Sequence, residues 1–203
     1  MAYDVVASDE AIEQAQNALE QNGMRVTVAP DRAAASATVL ELVPKGAEVF
    51  TATSKTLEAL DLTKIFDESG DYDAIRPKLH ALYGDPTKKS EQRKIAAAPD
   101  YVIGSVHAIT QDGNVYVVSN TGSQLPAYAH GAGKVIWIVG AQKIVKDLAE
   151  AEKRVKDHVF ALEDARAKEA YGHGSNISKI LTIHKEVVPD RITIIIVKEA
   201  LGF

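Results

Sequence analysis

The sequence predicts one α/β domain with a mixed, mostly parallel sheet, on three observations. The first fifty residues alternate amphipathic helical stretches with short apolar strands. Parallel strands need crossover helices, and this rhythm supplies them. Lys134–Val139 (KVIWIV) is almost wholly apolar, as a strand covered on both faces must be. Asp112-Gly113 stands between two strand-like runs as a two-residue hairpin turn, which adds an antiparallel pair to the sheet.

Ser8–Asn22 reads as a helix, with Ile12, Ala15 and Leu19 on one face, Ser8 as N-cap and Gly23 as the stop. Met24–Ala29 alternates as a strand. Asp31 caps a second helix that turns Ala35, Val39, Leu42 and Val43 inward, and Ala47–Ala52 is the next strand. The polar region at about 54–100 is cut by Gly70, Pro77, Gly84 and Pro86 into short helices. Tyr101–Thr110 and Asn114–Ser119 flank the hairpin turn. After KVIWIV, Ile144–Val159 and Leu162–Tyr171 read as helix, and strands near Ile180–His184 and Ile192–Val197 close the chain. With no repeat or linker, 1–203 reads as a single domain.

The chain has 203 residues with 46% apolar and 25% charged side chains, an average soluble mixture. At this size roughly 9,000 Å² of surface remains of about 32,000 Å² unfolded, so a core forms without staples. A net charge of −5 argues against nucleic acid and anionic membranes as partners. The absence of cysteine removes disulfides, thiol nucleophiles, Cys-bound zinc and all-Cys iron–sulfur clusters. The histidines stand at 80, 107, 130, 158, 173 and 184, never three or four apart, so no helical pair clamps a metal. No metal and no resident cofactor is expected. The amino terminus lacks a secretory pattern and no apolar run approaches a membrane span, which points to the cytoplasm.

Chemistry concentrates in three strand-end segments. Asn120-Thr121-Gly122-Ser123 precedes Pro126, a residue suited to a first helical turn. A Gly turn feeding a helix start aims free N–H groups outward as an anion cradle, although the same string is also an ordinary capped turn. Thr51–Thr56 places Ser54, Lys55 and Thr56 at another strand end, as an anion site or a plain N-cap. Gly140–Lys143 follows KVIWIV and puts Lys143 at the strand exit, over an anion or simply in solvent. Ligands of open α/β sheets sit outside the strands' carboxyl ends, so these segments share a cleft if their strands are neighbours. His107 either reaches that cleft or is a satisfied structural histidine. Glu163 and Arg166 lie one helical turn apart and suit a mutual pair. Gly172–Asn176 reads as a helix C-cap and turn, or as a lid. No nucleophile elbow is present.

The run from Gly104 to Gly172, with NTGSQLPA and VGAQKIV inside it, resembles the LUD domain, named for lactate utilization and found in LutC-like proteins. VPKGAEVFTATSKTLEAL and RITIIIVKEALGF resemble the family's earlier strand-to-helix segment and its closing strand, so the likeness spans about Ala11 to Phe203. The resemblance implies a three-layer α/β/α fold of the ribose-phosphate isomerase and CoA-transferase type. It implies a role near oxidation of L-lactate to pyruvate, beside separately encoded iron–sulfur subunits. It also favours Lys143 as a site residue.

Two functions follow from this reading. One is an accessory subunit of lactate oxidation with a small-anion cleft built from Ser54, Thr56, Asn120, Thr121, Gly122, Ser123 and Lys143, and secondarily His107, Glu163 and Arg166. The other is a free-standing enzyme acting on a phosphorylated or CoA-linked metabolite. The expected partners are iron–sulfur lactate-utilization subunits, a small anionic metabolite and a second copy of the chain.

Overall fold

Ser8 opens the first helix, its Oγ accepting the Ala11 amide at 3.2 Å ahead of α1 (Asp9–Gln21). Asp9 and Glu10 in the first turn suit the positive end of the helix dipole. The buried face is Ile12, Ala15 and Leu19, as the spacing requires. The helix ends at Gly23, whose φ is +82°, and a Cβ there would lie 2.2 Å from the Glu186 carbonyl oxygen. Only glycine fits. The computed structural model describes residues 3–203.

The chain continues through β1 (Arg25–Ala29), α2 (Arg32–Leu42), β2 (Glu48–Thr51), α3 (Lys55–Ala59), α4 (Leu62–Glu68), β3 (Asp73–Ala74), α5 (Ile75–Ala81) and α6 (Lys89–Ala97). Strands β4 (Tyr101–Gly104), β5 (Ala108–Thr110) and β6 (Val115–Ser119) follow. A π-helical turn, Ala127–Gly131, leads into β7 (Lys134–Gly140). Next come a 3₁₀ turn (Ala141–Lys143), β8 (Ile144–Val145), α7 (Leu148–Arg154), a second π-helical turn (Val155–Val159) and α8 (Phe160–Tyr171). Strands β9 (Lys179–Ile183) and β10 (Ile192–Val197) finish the chain.

Six strands form a fully parallel sheet in the order β1-β10-β7-β4-β2-β3. Its apolar strands β7 and β10 alternate between two cores, which is why their sequences read as unbroken apolar runs. Val135, Trp137 and Val139 pack with α1, α5 and α6 on one face, while Ile136 and Ile138 pack with α2, α3 and α4 on the other. This is the three-layer α/β/α arrangement. The accessible surface of 9772 Å² sits close to the area expected for the chain's mass.

The hairpin departs from expectation. Its strands do not extend the parallel sheet but build a second sheet, β8-β5-β6-β9, with β5–β6 and β6–β9 antiparallel. Ile109, Val115 and Val117 face the core shared with Trp137, and Tyr116 and Val118 turn outward against α7. The strand expected over Tyr101–Thr110 is accordingly two strands, broken at Ser105–His107 where the chain passes between sheets. Glycine within a strand run marks a bend, and Gly104 marks this one. A Cβ on Gly104 would meet the Tyr128 hydroxyl at 1.8 Å. Ile144–Val145 likewise begins as a short strand beside β5 rather than as helix.

Candidate functional site

In the parallel sheet β4 lies between β7 and β2, so three consecutive strands end side by side. Their exits are the three chain segments Ala52–Thr56, Ser105–His107 and Ala141–Lys143. Adjacent strands make adjacent loops, and these loops form the floor of a cavity of about 900 Å³. The Asn120–Ser123 turn reaches the same cavity from the end of β6 in the second sheet. Helices α5, α6 and α8 supply the walls. Both π-helical turns touch it, through Tyr128 and through Val155 and Val159. Such turns are rare and occur often beside functional sites.

Lys143 is the most buried of the basic side chains in the lining, 2% exposed. Its Nζ donates to Thr56 Oγ1 at 3.0 Å and to Ser105 Oγ at 3.1 Å. Burial, and then repulsion from Arg154, brings its pKa down to about 7. The sequence reading put this amine over an anion or in solvent. The structure instead locks the amine into the floor, because the 3₁₀ turn points it back beneath α3. Thr56 passes its own proton to the Leu201 carbonyl at 3.2 Å, so it receives the lysine as an acceptor.

Ser54 and the Asn120–Ser123 turn line the cavity, but part of their hydrogen-bonding capacity is spent internally. Ser54 Oγ caps α3, accepting from the amides of Thr56 at 3.2 Å and Leu57 at 3.4 Å. The Gly122 amide donates to Ser119 Oγ at 2.9 Å and the Ser123 amide to Thr121 Oγ1 at 3.4 Å. Two amides of the expected anion cradle are therefore occupied, and the helix after them is short and π-wound. What the turn offers a ligand is its side chains, not a helix N-terminus.

His107 fits the structural reading while still touching the cavity. Its Nδ1 accepts the Val118 amide at 3.1 Å, and its carbonyl accepts Arg154 Nη1 at 2.7 Å. Burial, with Lys143 and Arg154 nearby, drives its pKa down to about 3. It is a neutral imidazole, and the amide on Nδ1 assigns the proton to Nε2. Glu163 and Arg166 form the expected pair, bidentate at 2.7 and 2.6 Å. The guanidinium also lies over the Tyr171 ring, 5.4 Å from its centroid. Gly172 caps α8 at φ +75°, and Asp164 Oδ1 pins the loop by accepting the Ser175 amide at 2.9 Å. The C-cap is as read, and His173 to Asn176 line the rim of the cavity.

The sequence reading missed Arg76, Arg93 and Ser105. Arg76 hydrogen-bonds Thr53 Oγ1 and stands 3.9 Å from Asp67, whose carboxylate accepts Thr51 Oγ1 at 2.8 Å. Burial raises the Asp67 pKa, and the Thr51 bond and Arg76 oppose it. The available signal was helical spacing, since Arg76, His80 and Tyr83 fall on one face of the α5 segment and all three line the cavity. The lining thus carries five basic side chains, Lys55, Arg76, Arg93, Lys143 and Arg166, against one acid, Glu163.

Fold and cavity together define a parallel α/β protein with a basic pocket over the carboxyl edge of its sheet. The LUD domain model matches residues 12–197, and the chain belongs to that family. Among solved structures it is similar to a DUF162 family protein from Deinococcus radiodurans, at 15% identity over 95% of this chain and 99% of that one, with a TM-score of 0.59. That likeness supports the fold. eIF2B beta from Chaetomium thermophilum also aligns, at 15% identity over 70% of this chain and 46% of that one, but its TM-score is 0.31. No curated protein matches the chain.

Proposed function

We propose that the cavity binds a small organic anion, and that the chain serves lactate utilization as an accessory subunit in oxidation of L-lactate to pyruvate. The observation that carries the anion is charge placement. A chain of net charge −5 gathers five basic side chains around one cavity. Although Lys55, Arg76 and Arg166 pair with Glu58, Asp67 and Glu163, Arg93 and Lys143 have no carboxylate partner among the described residues. Low-dielectric walls focus such a field and raise the local concentration of anions. Electrons would leave through separate iron–sulfur subunits in the cytoplasm, because a chain without cysteine cannot ligate an all-Cys cluster.

Cavity size favours a second reading. At about 900 Å³ it lies at the upper end of the range of pockets for drug-sized ligands, well beyond what lactate fills. A free-standing enzyme for a phosphorylated or CoA-linked metabolite uses that space better. Thermal shift with lactate, pyruvate, sugar phosphates, nucleotides and CoA separates the two. A ligand at 100 times its Kd adds about 2.7 kcal/mol of stability. A shift with lactate or pyruvate alone supports the accessory role, a shift with the larger anions supports the enzyme, and no shift with any of them refutes the anion cleft.

A further inference from the structure

We propose that Lys143 forms a covalent imine with a small anion that carries a ketone or aldehyde, such as a 2-oxo acid or a keto-phosphate. The proposal rests on the anion reading of the cavity and adds the reactive group of the ligand. Its basis is the setting of the amine. A buried lysine is ordinarily paired with a carboxylate, yet no acid pairs with Lys143 among the described residues, and its partners are two hydroxyls. The other buried cation nearby, Arg154, repels rather than neutralises it. Thr56 has committed its proton to Leu201, so it fixes one N–H of the lysine. A second N–H goes to Ser105, and Lys143, Thr56 and Ser105 all form part of the cavity lining.

Desolvated lysines beside cationic groups are the ones that serve as Schiff-base nucleophiles. With a pKa brought to about 7, a large share of the amine is unprotonated at neutral pH. Arg166, Arg76 and Arg93 supply the charge that holds the ligand's carboxylate or phosphate while its carbonyl reaches the floor. The nitrogen lone pair attacks the carbonyl carbon, the carbonyl π pair moves to oxygen, and Ser105 relays a proton from nitrogen to that oxygen. Loss of water then leaves a C=N bond, and no electron is gained or lost. Ser105 is a positioning and proton-relay residue, legible only once the break between β4 and β5 is seen.

The test is reductive trapping on the full chain with cyanoborohydride, using pyruvate in one arm and dihydroxyacetone phosphate in the other. Peptide mapping then locates the adduct. Calorimetry with lactate and inorganic phosphate, which carry charge but no ketone, runs alongside. The expected result is one saturable adduct on Lys143 in at least one arm, lost in Lys143→Met and slowed in Ser105→Ala. The reactive arm identifies the carboxylate or phosphate class. Binding of lactate or phosphate without an adduct at Lys143, or labelling spread over surface lysines, overturns the imine and leaves the anion cavity standing. No binding and no adduct overturn both.

Discussion

The amine of Lys143 sits 3.0 Å from Thr56 Oγ1, although 87 positions separate the two residues in the chain. They meet because β7 and β2 flank β4, so the turn after one and the helix after the other converge over the sheet edge. That contact joins the most buried cation of the cavity floor to the start of α3, and the behaviour of Lys143 follows from it.

Stability should depend on pH through Lys143. The folded chain holds this proton less tightly than the unfolded chain, with a pKa of about 7 against 10.5. Between those values the unfolded state binds more protons, so stability rises with pH across that window, and the full cost of burying the ammonium is present below it. Relative to Lys143→Met, the wild type should gain a few kcal/mol between pH 7 and 10.5 in urea melts. A constant difference between the two proteins across this range would show that the amine titrates normally.

Arg191 should be indispensable to the cavity wall. It is 7% exposed and donates to the carbonyls of Ala127, Tyr128 and Ala132 at 3.0, 2.9 and 3.1 Å. Its Nη1 also pairs with Glu186 at 2.7 Å. These bonds tie down the π-helical turn that carries Tyr128. Arg191→Met should cost about 3–5 kcal/mol, the loss typical of breaking a buried pair from one side. The double variant with Glu186→Gln should lose less than the sum of the singles, since the two groups are coupled.

Much of the fold was legible in the sequence because local signals and burial agree there. Ser8 and Asp31 cap helices as their side chains suggest, and the apolar strands β7 and β10 are buried on both faces. The second sheet was not legible. Asp112-Gly113 specifies a hairpin, but nothing local says which sheet the hairpin joins, and that choice is made by long-range packing of Val115 and Val117 under Trp137. In the site, the strand-end segments stood out by their turn chemistry. Arg76 and Arg93 did not, because a basic residue on a polar helix looks the same whether it faces solvent or a cavity. The depth of Lys143 was hidden for a related reason, since its burial depends on Thr56 and Ser105 from two other strand ends.

Glu163→Gln should strengthen anion binding. It removes the one acid of the lining while an amide of the same shape keeps contact with Arg166. A unit charge about 10 Å from a bound anion contributes about 1–2 kcal/mol at an effective dielectric near 20, so affinity should rise by roughly tenfold at low salt. Calorimetry reads this directly, and the gain should shrink as ionic strength rises.

Gly104→Ala should destabilise the fold and distort the cavity together. The added methyl would stand 1.8 Å from the Tyr128 hydroxyl and 3.3 Å from the Ala52 Cβ, so the Tyr128 ring must move off the Trp137 edge it meets at 87°. Overpacking of this kind costs about 1–3 kcal/mol. Denaturant melts check the loss, and pairing the change with Tyr128→Phe should recover part of it.

The most direct test of the basic cavity is isothermal titration calorimetry with whichever anion gives the largest thermal shift. Wild type, Arg76→Ala and Arg166→Ala are compared at low and high salt. One site per chain is expected, weakened by salt and weakened again by removal of either guanidinium. Absence of binding by every anion, or binding that ignores both salt and the two arginines, would contradict a cavity built to hold negative charge.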